Sequence, residues 1–152
     1  MSNLIATTYQ ASDLSRNYRA VLNSARHDDT LIRDTDGETL ILLSLDRAQR
    51  DRTMAGLLSD FTRLLHAQSQ GDLLGIVNSG RFSFASLLPN EMRLELVEEL
   101  YAALQVAQSG GALNSLHGAI EDWIVTAQVW ANDQLRGEIF TVDNPLPAHT
   151  LD

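Results

Sequence analysis

The sequence predicts an α+β protein in which a small β-α-β-β-α domain precedes an α-helical hairpin region. Three observations lead to this prediction. A β-branched and aromatic run near the start is followed by apolar residues at helical spacing. The pair Asp36-Gly37 lies between two aliphatic runs, as in a β-hairpin. Beyond Pro89, apolar residues recur every three or four positions, which indicates two further helices.

The first strand and the first helix are predicted from residue type and spacing. Residues 3–9 are typical of a strand, and Ser12 and Ser15 are candidate N-caps of a helix that reaches Ala25. The apolar residues of this helix form one stripe: Leu14, Tyr18, Val21, Leu22 and Ala25. On the other side, four polar residues share a narrow arc: Arg16, Arg19, Asn23 and Arg26.

A hairpin and a second helix complete the predicted front domain. Residues 30–33 and 39–43 are the strands, and Gly37 suits the positive φ of the turn. Asp46 is expected to cap the next helix, with Gln49 at the capping-box position. That helix carries one apolar face: Met54, Leu57, Leu58, Phe61, Leu64 and Leu65. Because three strands and two helices bury little surface, we expect this domain to form a homodimer.

The segment 68–89 is an apolar connector that contains Gly and Ser. Three glycines interrupt it, yet it carries eight large apolar side chains: Leu73, Leu74, Ile76, Val77, Phe82, Phe84, Leu87 and Leu88. A solvated linker would not carry so many, so the segment either docks on its own protein or becomes ordered on a partner. The last four of these side chains are the candidate partner-binding anchors.

Two helices are predicted after the connector. The first begins at Pro89-Asn90 and ends near Gln108, before Gly110-Gly111. The second runs from about residue 115 to 135, with a packing seam of Leu116, Ile120, Trp123, Ala127 and Trp130. An antiparallel αα-hairpin is the natural arrangement. The predicted segments are thus 1–67, 68–89, 90–136 and an extended or disordered tail, 137–152.

Charge is distributed unevenly along the chain. Its 11 basic residues, all Arg, stand against 20 acidic residues, and the net charge is −9. Residues 1–52 are nearly neutral, whereas residues 53–152 carry most of the negative charge. This balance argues against a non-specific nucleic-acid binder, although a local Arg cluster can bind phosphates. The acidic residues of the first hairpin helix (Glu91, Glu95, Glu98 and Glu99) form either a solvated face or a surface that attracts a basic partner.

Several functional classes are not expected. No apolar run reaches the roughly 20 residues of a membrane span, and the first residues lack the features of a signal peptide, so a cytoplasmic protein is expected. The chain has no Cys, and its four His are scattered, so we expect no metal site and no cofactor. No phosphate-binding loop or nucleophile elbow is present, and the adjacent acidic pairs diverge around a helix. We therefore expect no catalytic residues and no enzyme activity.

The order of features in the front half resembles the Phd/YefM family of antitoxins. A short strand leads to a Ser-containing helix start with an Arg just inside it (Ser12, Arg16) and then to the apolar pair Val21-Leu22. A strand with the sequence Leu31-Ile32-Arg33, a turn glycine, an aliphatic strand ending in LLSLD and a new helix follow. The resemblance covers about residues 3–65, less than half of the chain.

The resemblance implies a bacterial homodimer whose N-terminal domains bind operator DNA and repress transcription of their own operon. It also implies that the C-terminal part neutralises a toxin protein by binding it. The positions that correspond to the DNA-contacting residues of the family are Ser12, Arg16, Asn17, Arg19 and Arg33. For the toxin contact, the candidates are Phe82, Phe84, Leu87 and Leu88.

The chain departs from the family pattern in two places. The hairpin turn carries Asp34, Asp36 and Glu38 where family members commonly have basic residues, and these acids would weaken DNA binding. The C-terminal region is also longer than the usual toxin-binding tail. Its helical hairpin resembles an actinobacterial family of unknown function, with Leu-Pro before an Arg-bearing helix and a Trp in the next helix.

Three functional hypotheses remain open at this stage. The first is the antitoxin of a type II toxin–antitoxin module. The second is an operator-binding transcription regulator whose helical hairpin forms an assembly interface and binds no toxin. The third is a protein-interaction module without DNA binding, which the acidic turn favours.

Overall fold

The chain divides into two compact units, and the division falls between Ala55 and Gly56. The computed structural model describes residues 6–142. The first unit contains a small three-stranded sheet and the second is helical, which confirms the α+β class. The division lies earlier than the predicted boundary after residue 67. The physical reason is that Leu57, Phe61 and Leu64 of the intervening helix belong to the core of the second unit.

The sheet of the first unit has the order β1-β2-β3. Strand β1 (Thr7–Gln10) pairs in parallel with β2 (Thr30–Arg33), and β2 pairs in antiparallel fashion with β3 (Thr39–Leu42). The hairpin prediction is confirmed, since Gly37 has a φ of +89° in the turn. Strand β1 was predicted from residue 3, and residues 3–5 of that range lie outside the described residues.

Two helices, not one, connect β1 to β2. Helix α1 (Asp13–Arg16) is a single turn, and α2 spans Tyr18–His27. The break falls at Asn17, whose backbone leaves the helical region (φ −139°, ψ 38°) and whose carbonyl accepts the first hydrogen bonds of α2. The single predicted helix is therefore wrong. Asparagine is a weak helix former because its short polar side chain favours caps and turns.

The next helix, α3, spans Leu45–Gln70 and begins before the predicted cap, Asp46. Ser44 takes the capping place, because its carbonyl accepts the N–H of Ala48 at 3.0 Å and its hydroxyl accepts that of Arg47 at 3.4 Å. Asp46 lies within the first turn, where a carboxylate interacts favourably with the helix dipole.

The apolar connector is folded in the second unit. It contains helix α4 (Leu73–Val77) and a 3₁₀-helix (Gly80–Leu87). The carboxylate of Asp72 caps α4 by accepting the N–H of Gly75 at 2.9 Å. Phe82 contacts Phe61 edge to face, with the ring centroids 6.1 Å apart. Of the two alternatives left open by the sequence, the structure therefore shows the connector docked on its own protein.

The predicted pair of long helices is present. Helix α5 spans Asn90–Gln108, and α6 spans Leu113–Val142. Gly110 (φ +94°) separates them, and the indole N–H of Trp123 joins them by donating to the carboxylate of Glu99 at 2.7 Å. Trp130, predicted in the seam, is instead exposed over 37% of its surface. Helix α6 continues through residues 137–142, which were predicted as extended or disordered, while residues 143–152 lie outside the described residues.

A polar network holds the start of α5. The side-chain amide of Gln68 donates to the side chain of Asn90 at 2.8 Å and accepts from the guanidinium of Arg93 at 2.9 Å. The same guanidinium donates to the carbonyl of Leu88 at 2.6 Å. Arg93 thus connects the end of α3, the end of the connector and the first turns of α5, a role that its charge alone did not predict.

Candidate functional site

The five residues expected to contact DNA are all exposed in the first unit. They occupy four different elements or junctions. Ser12 precedes the single turn of α1 and Arg16 is its last residue. Asn17 is the junction, Arg19 lies in the first turn of α2, and Arg33 ends β2. The predicted four-residue arc is wrong at Arg16, because the break at Asn17 places that residue on a different helix.

The parallel pairing of β1 and β2 brings Ser12 and Arg33 to the same end of the sheet. Gln10 is in register with Arg33, and the N–H of Ala11 donates to the carbonyl of Arg33 at 3.0 Å. Ser12, the next residue along the chain, therefore lies beside the end of β2. The sequence pattern did not predict this proximity, because it depends on which strands pair.

The exposed face of α2 carries an open groove of about 480 Å³. Its lining residues are Tyr18, Arg19, Leu22, Asn23 and Arg26. The guanidinium of Arg19 lies over the ring of Tyr18, 5.9 Å from the ring centroid, and its Nε donates to the Tyr18 hydroxyl at 3.3 Å. This arrangement places two cationic side chains beside exposed apolar surface.

Four exposed arginines of this unit have no carboxylate partner among the described residues. Within residues 6–142, no ion pair is recorded for Arg16, Arg19, Arg26 or Arg33. Asp29 instead pairs with Arg47 at 2.7 Å, and Asp13 accepts the backbone N–H of Gln10 at 2.9 Å. These guanidinium groups are thus available to an anionic ligand such as phosphate.

The acidic turn lies next to Arg33 in the chain. The carboxylate of Asp34 accepts the N–H of Thr35 at 2.6 Å, and that of Asp36 accepts the N–H of Glu38 at 2.9 Å. Both acids therefore have a local role in closing the turn. Asp36 is exposed and Asp34 is half-buried, and their negative charge near Arg33 opposes the approach of DNA at this end of the sheet.

The first unit also exposes large apolar side chains. Tyr18 and Leu22 of α2 are exposed over 50% and 43% of their surfaces, and Leu40 and Ile41 of β3 over 50% and 56%. Strand β3 lies at an edge of the sheet, where backbone groups are open to a further strand. Because successive side chains of a strand point to opposite faces of the sheet, Leu40 and Ile41 leave apolar surface exposed on both of its faces.

Burial separates the four residues predicted to contact a toxin. Phe82 and Leu88 are buried in the second unit, Phe84 is half-buried, and only Leu87 is largely exposed, at 46%. A partner contact through Phe82 or Leu88 would require the 3₁₀-helix to leave the core. In the docked conformation, these two residues are core residues, since their apolar surface is already buried within the second unit.

Neither a membrane-spanning helix nor a metal-binding cluster is found in the described part of the chain. No helix within residues 6–142 combines the length and apolar character needed to cross a bilayer. Over the same residues, no group of three or more His, Asp or Glu side chains is arranged to hold a metal ion.

Comparison with known proteins gives no match. No family model fits the chain. No curated protein and no solved structure matches it either. The resemblance to Phd/YefM antitoxins therefore depends on the residue pattern described above and stays a prediction.

Proposed function

We propose that this chain is the antitoxin of a type II toxin–antitoxin module. In this proposal, the first unit forms a homodimer that binds operator DNA and represses transcription of its own operon. The second unit binds a toxin protein and blocks it without any bond being made or broken. The observation that carries the proposal is the face of α2, where Arg19 and Arg26, which form no ion pair within residues 6–142, lie beside exposed apolar side chains.

Two features of that face support a DNA-binding dimer. The exposed Tyr18 and Leu22 would be covered by a second copy, which would add buried surface to a unit that has little of its own. Dimerisation would also double the number of guanidinium groups that meet the phosphate backbone. Arg16 and Arg33, which lie outside the groove, would then extend the positive surface.

The composition of the second unit supports a protein partner. Residues 53–152 contain four Arg and twelve acidic residues. A toxin that acts on RNA would have a basic cleft, and an acidic protein would both attract it and compete with its substrate. This complementarity favours a toxin-binding unit over a second nucleic-acid-binding unit.

Growth and co-purification test the antitoxin function. The adjacent open reading frame is expressed alone and together with this chain in a bacterial host. Growth arrest by the neighbour alone, relieved by co-expression and accompanied by a stable complex, is the expected result. A harmless neighbour that does not co-purify would contradict toxin neutralisation.

Salt-dependent promoter binding tests the DNA contact. The affinity of the protein for its own promoter is expected to fall as salt rises, because bound phosphates release counterions. The plot of log K against log salt has a negative slope, and Arg16→Ala is expected to reduce the magnitude of that slope by about 1, the effect of one lost phosphate contact. Arg63→Ala, an exposed Arg of the second unit, is the matched control and should leave the slope unchanged.

A second candidate is a protein-interaction module without DNA binding. The observation that favours it is the acidic turn, whose carboxylates close the β2–β3 connection and keep their charge beside Arg33. The same promoter assay separates the two candidates. Absence of salt-sensitive binding by the native chain would favour the interaction module.

A further inference from the structure

The second unit has an apolar groove between α3 and α5. It is lined by Leu58, Phe61 and Leu65 of α3 and by Tyr101, Leu104, Gln105 and Gln108 of α5. Its volume is about 150 Å³, and no charged side chain lines it. A cavity of about this size accommodates a benzene-sized group. The groove can therefore receive one aliphatic or aromatic side chain of another molecule.

The rim of the groove is open to solvent, and it combines apolar side chains with the amides of Gln105 and Gln108. Tyr101 is exposed over 56% of its surface and Leu65 over 38%. Neither residue is needed to cover the core, because α5 already turns Leu96, Leu100 and Leu104 inward. Leu94 is also exposed and lies two turns before Tyr101 on the same side of α5. Together these side chains extend the groove into an apolar strip.

An acidic ridge runs along the outer face of α5, beside this strip. Glu91, Glu95 and Glu98 are exposed, and at 100° per residue they fall within an arc of about 60°. No ion pair is recorded for them within residues 6–142. Glu99 lies on the other side and accepts the indole N–H of Trp123. The ridge therefore presents three unneutralised carboxylates.

We propose that the groove and the acidic ridge together form the docking surface for a basic segment of the partner protein. An apolar side chain of that segment fills the groove at Tyr101, and Lys or Arg side chains flanking it meet the glutamates of the ridge. The inference rests on the proposed function, because it names the surface through which the toxin is bound. In this inference, the groove and the ridge form the toxin contact in place of the 3₁₀-helix, because the main apolar side chains of that helix are buried.

The negative charge of the ridge favours a basic segment of a partner over a second copy of the same chain as the molecule that binds here. Two copies that meet at this surface would bring two acidic ridges close together, and like charges in proximity oppose association. A segment with basic flanks gains from the same carboxylates. Aromatic side chains commonly dominate the binding energy of an interface, and Tyr101 would become buried between the groove and the bound segment.

The test measures binding of the adjacent reading frame's product to the purified full-length chain. Tyr101→Ala is expected to raise Kd by at least about 30-fold, the hot-spot range. Glu95→Lys with Glu98→Lys is expected to lower the association rate about tenfold at low salt and much less at high salt. Circular dichroism and the urea midpoint verify that each variant is folded.

Matched controls come from α6, which also has exposed apolar and acidic residues. Val129→Ala removes exposed apolar surface, and Glu121→Lys with Asp122→Lys makes the same change of charge as the ridge variant. All three substitutions are expected to leave Kd within about twofold of the native chain, because surface changes outside an interface have small effects.

The possible outcomes separate the two proposals. If the native chain binds and neutralises the product but Tyr101→Ala and the ridge variant bind equally well, the docking surface is wrong and the antitoxin function stands. If the native chain neither binds nor neutralises the product, both proposals fail. A change in the mass of the free protein on Tyr101→Ala, measured by sedimentation, would show that a second copy occupies the groove and would also overturn the inference.

Discussion

Replacing Phe82 with alanine tests whether the connector belongs to the core of the second unit. Among the described residues, Phe82 is the largest completely buried side chain, and it contacts both Phe61 and Phe84 edge to face. Truncating a buried Phe to Ala removes its transfer free energy and leaves a cavity, at a cost of about 3–5 kcal/mol. With a urea m-value of about 2 kcal/mol per molar, the unfolding midpoint should fall by about 2 M.

Tryptophan fluorescence reports this change selectively. The chain has two Trp residues, and both lie on α6 in the second unit. Urea titration followed by Trp emission therefore follows the unit that contains Phe82. The matched control is Leu87→Ala on the same 3₁₀-helix, where the side chain is already largely exposed and the expected loss is below about 1 kcal/mol.

The two results have opposite meanings. A midpoint for Phe82→Ala close to that of the native chain would show that the ring is not packed in the free protein, and it would refute the reasoning from burial. In that case, the 3₁₀-helix would again be the favoured partner-binding segment. A loss of several kcal/mol, with Leu87→Ala near native, would confirm that the connector is part of the core.

The other predictions concern backbone geometry, capping and association. Gly80→Ala should destabilise the second unit by more than about 1 kcal/mol, because Gly80 has a φ of +65° and a Cβ there would lie 2.5 Å from the carboxylate of Asp60. Gly118→Ala, in open space on α6, should instead stabilise it by about 0.5–1 kcal/mol, and equal effects at both sites in urea titrations would contradict the geometry. Asp72→Ala should lower the stability of the second unit by about 1 kcal/mol through loss of the α4 cap, measured in the same way. Finally, the unfolding midpoint of the first unit, followed by far-ultraviolet circular dichroism, should rise with protein concentration if it forms a dimer, and a midpoint independent of concentration would argue for a monomer.

Local elements of the fold could be predicted from the sequence because their signals are local. The hairpin follows from Asp36-Gly37 between aliphatic runs, and Gly37 does adopt the positive φ that the turn requires. The end of α5 follows from Gly110 and Gly111, since Gly110 has a φ of +94° and the N–H of Gly111 donates back to Val106. In each case, a backbone conformation that only some residue types tolerate marks the position.

The features that could not be predicted depend on contacts between distant residues. The proximity of Ser12 and Arg33 arises from the parallel pairing of β1 and β2, which no local pattern determines. The connector carries enough apolar residues to dock on its own protein or on a partner, and only the packing of Phe82 against Phe61 distinguishes the two. The groove at Tyr101 was missed because Leu58, Phe61 and Leu65 have the spacing of an ordinary core face, whereas part of that face is left open.

The two units differ in how completely they cover their own apolar surface, and this difference connects the fold to the proposed function. Among the described residues, four are buried in the first unit and sixteen in the second. The second unit has the larger core and can be expected to fold on its own, so a partner that binds it would add to a structure already formed. The first unit leaves Tyr18, Leu22 and Ile41 half exposed, so it would bury further apolar surface if it formed the proposed dimer. If the proposed dimer forms, the fold of the arginine-bearing unit would be coupled to dimer formation, and the proposed DNA-binding surface would be complete only when two copies are together.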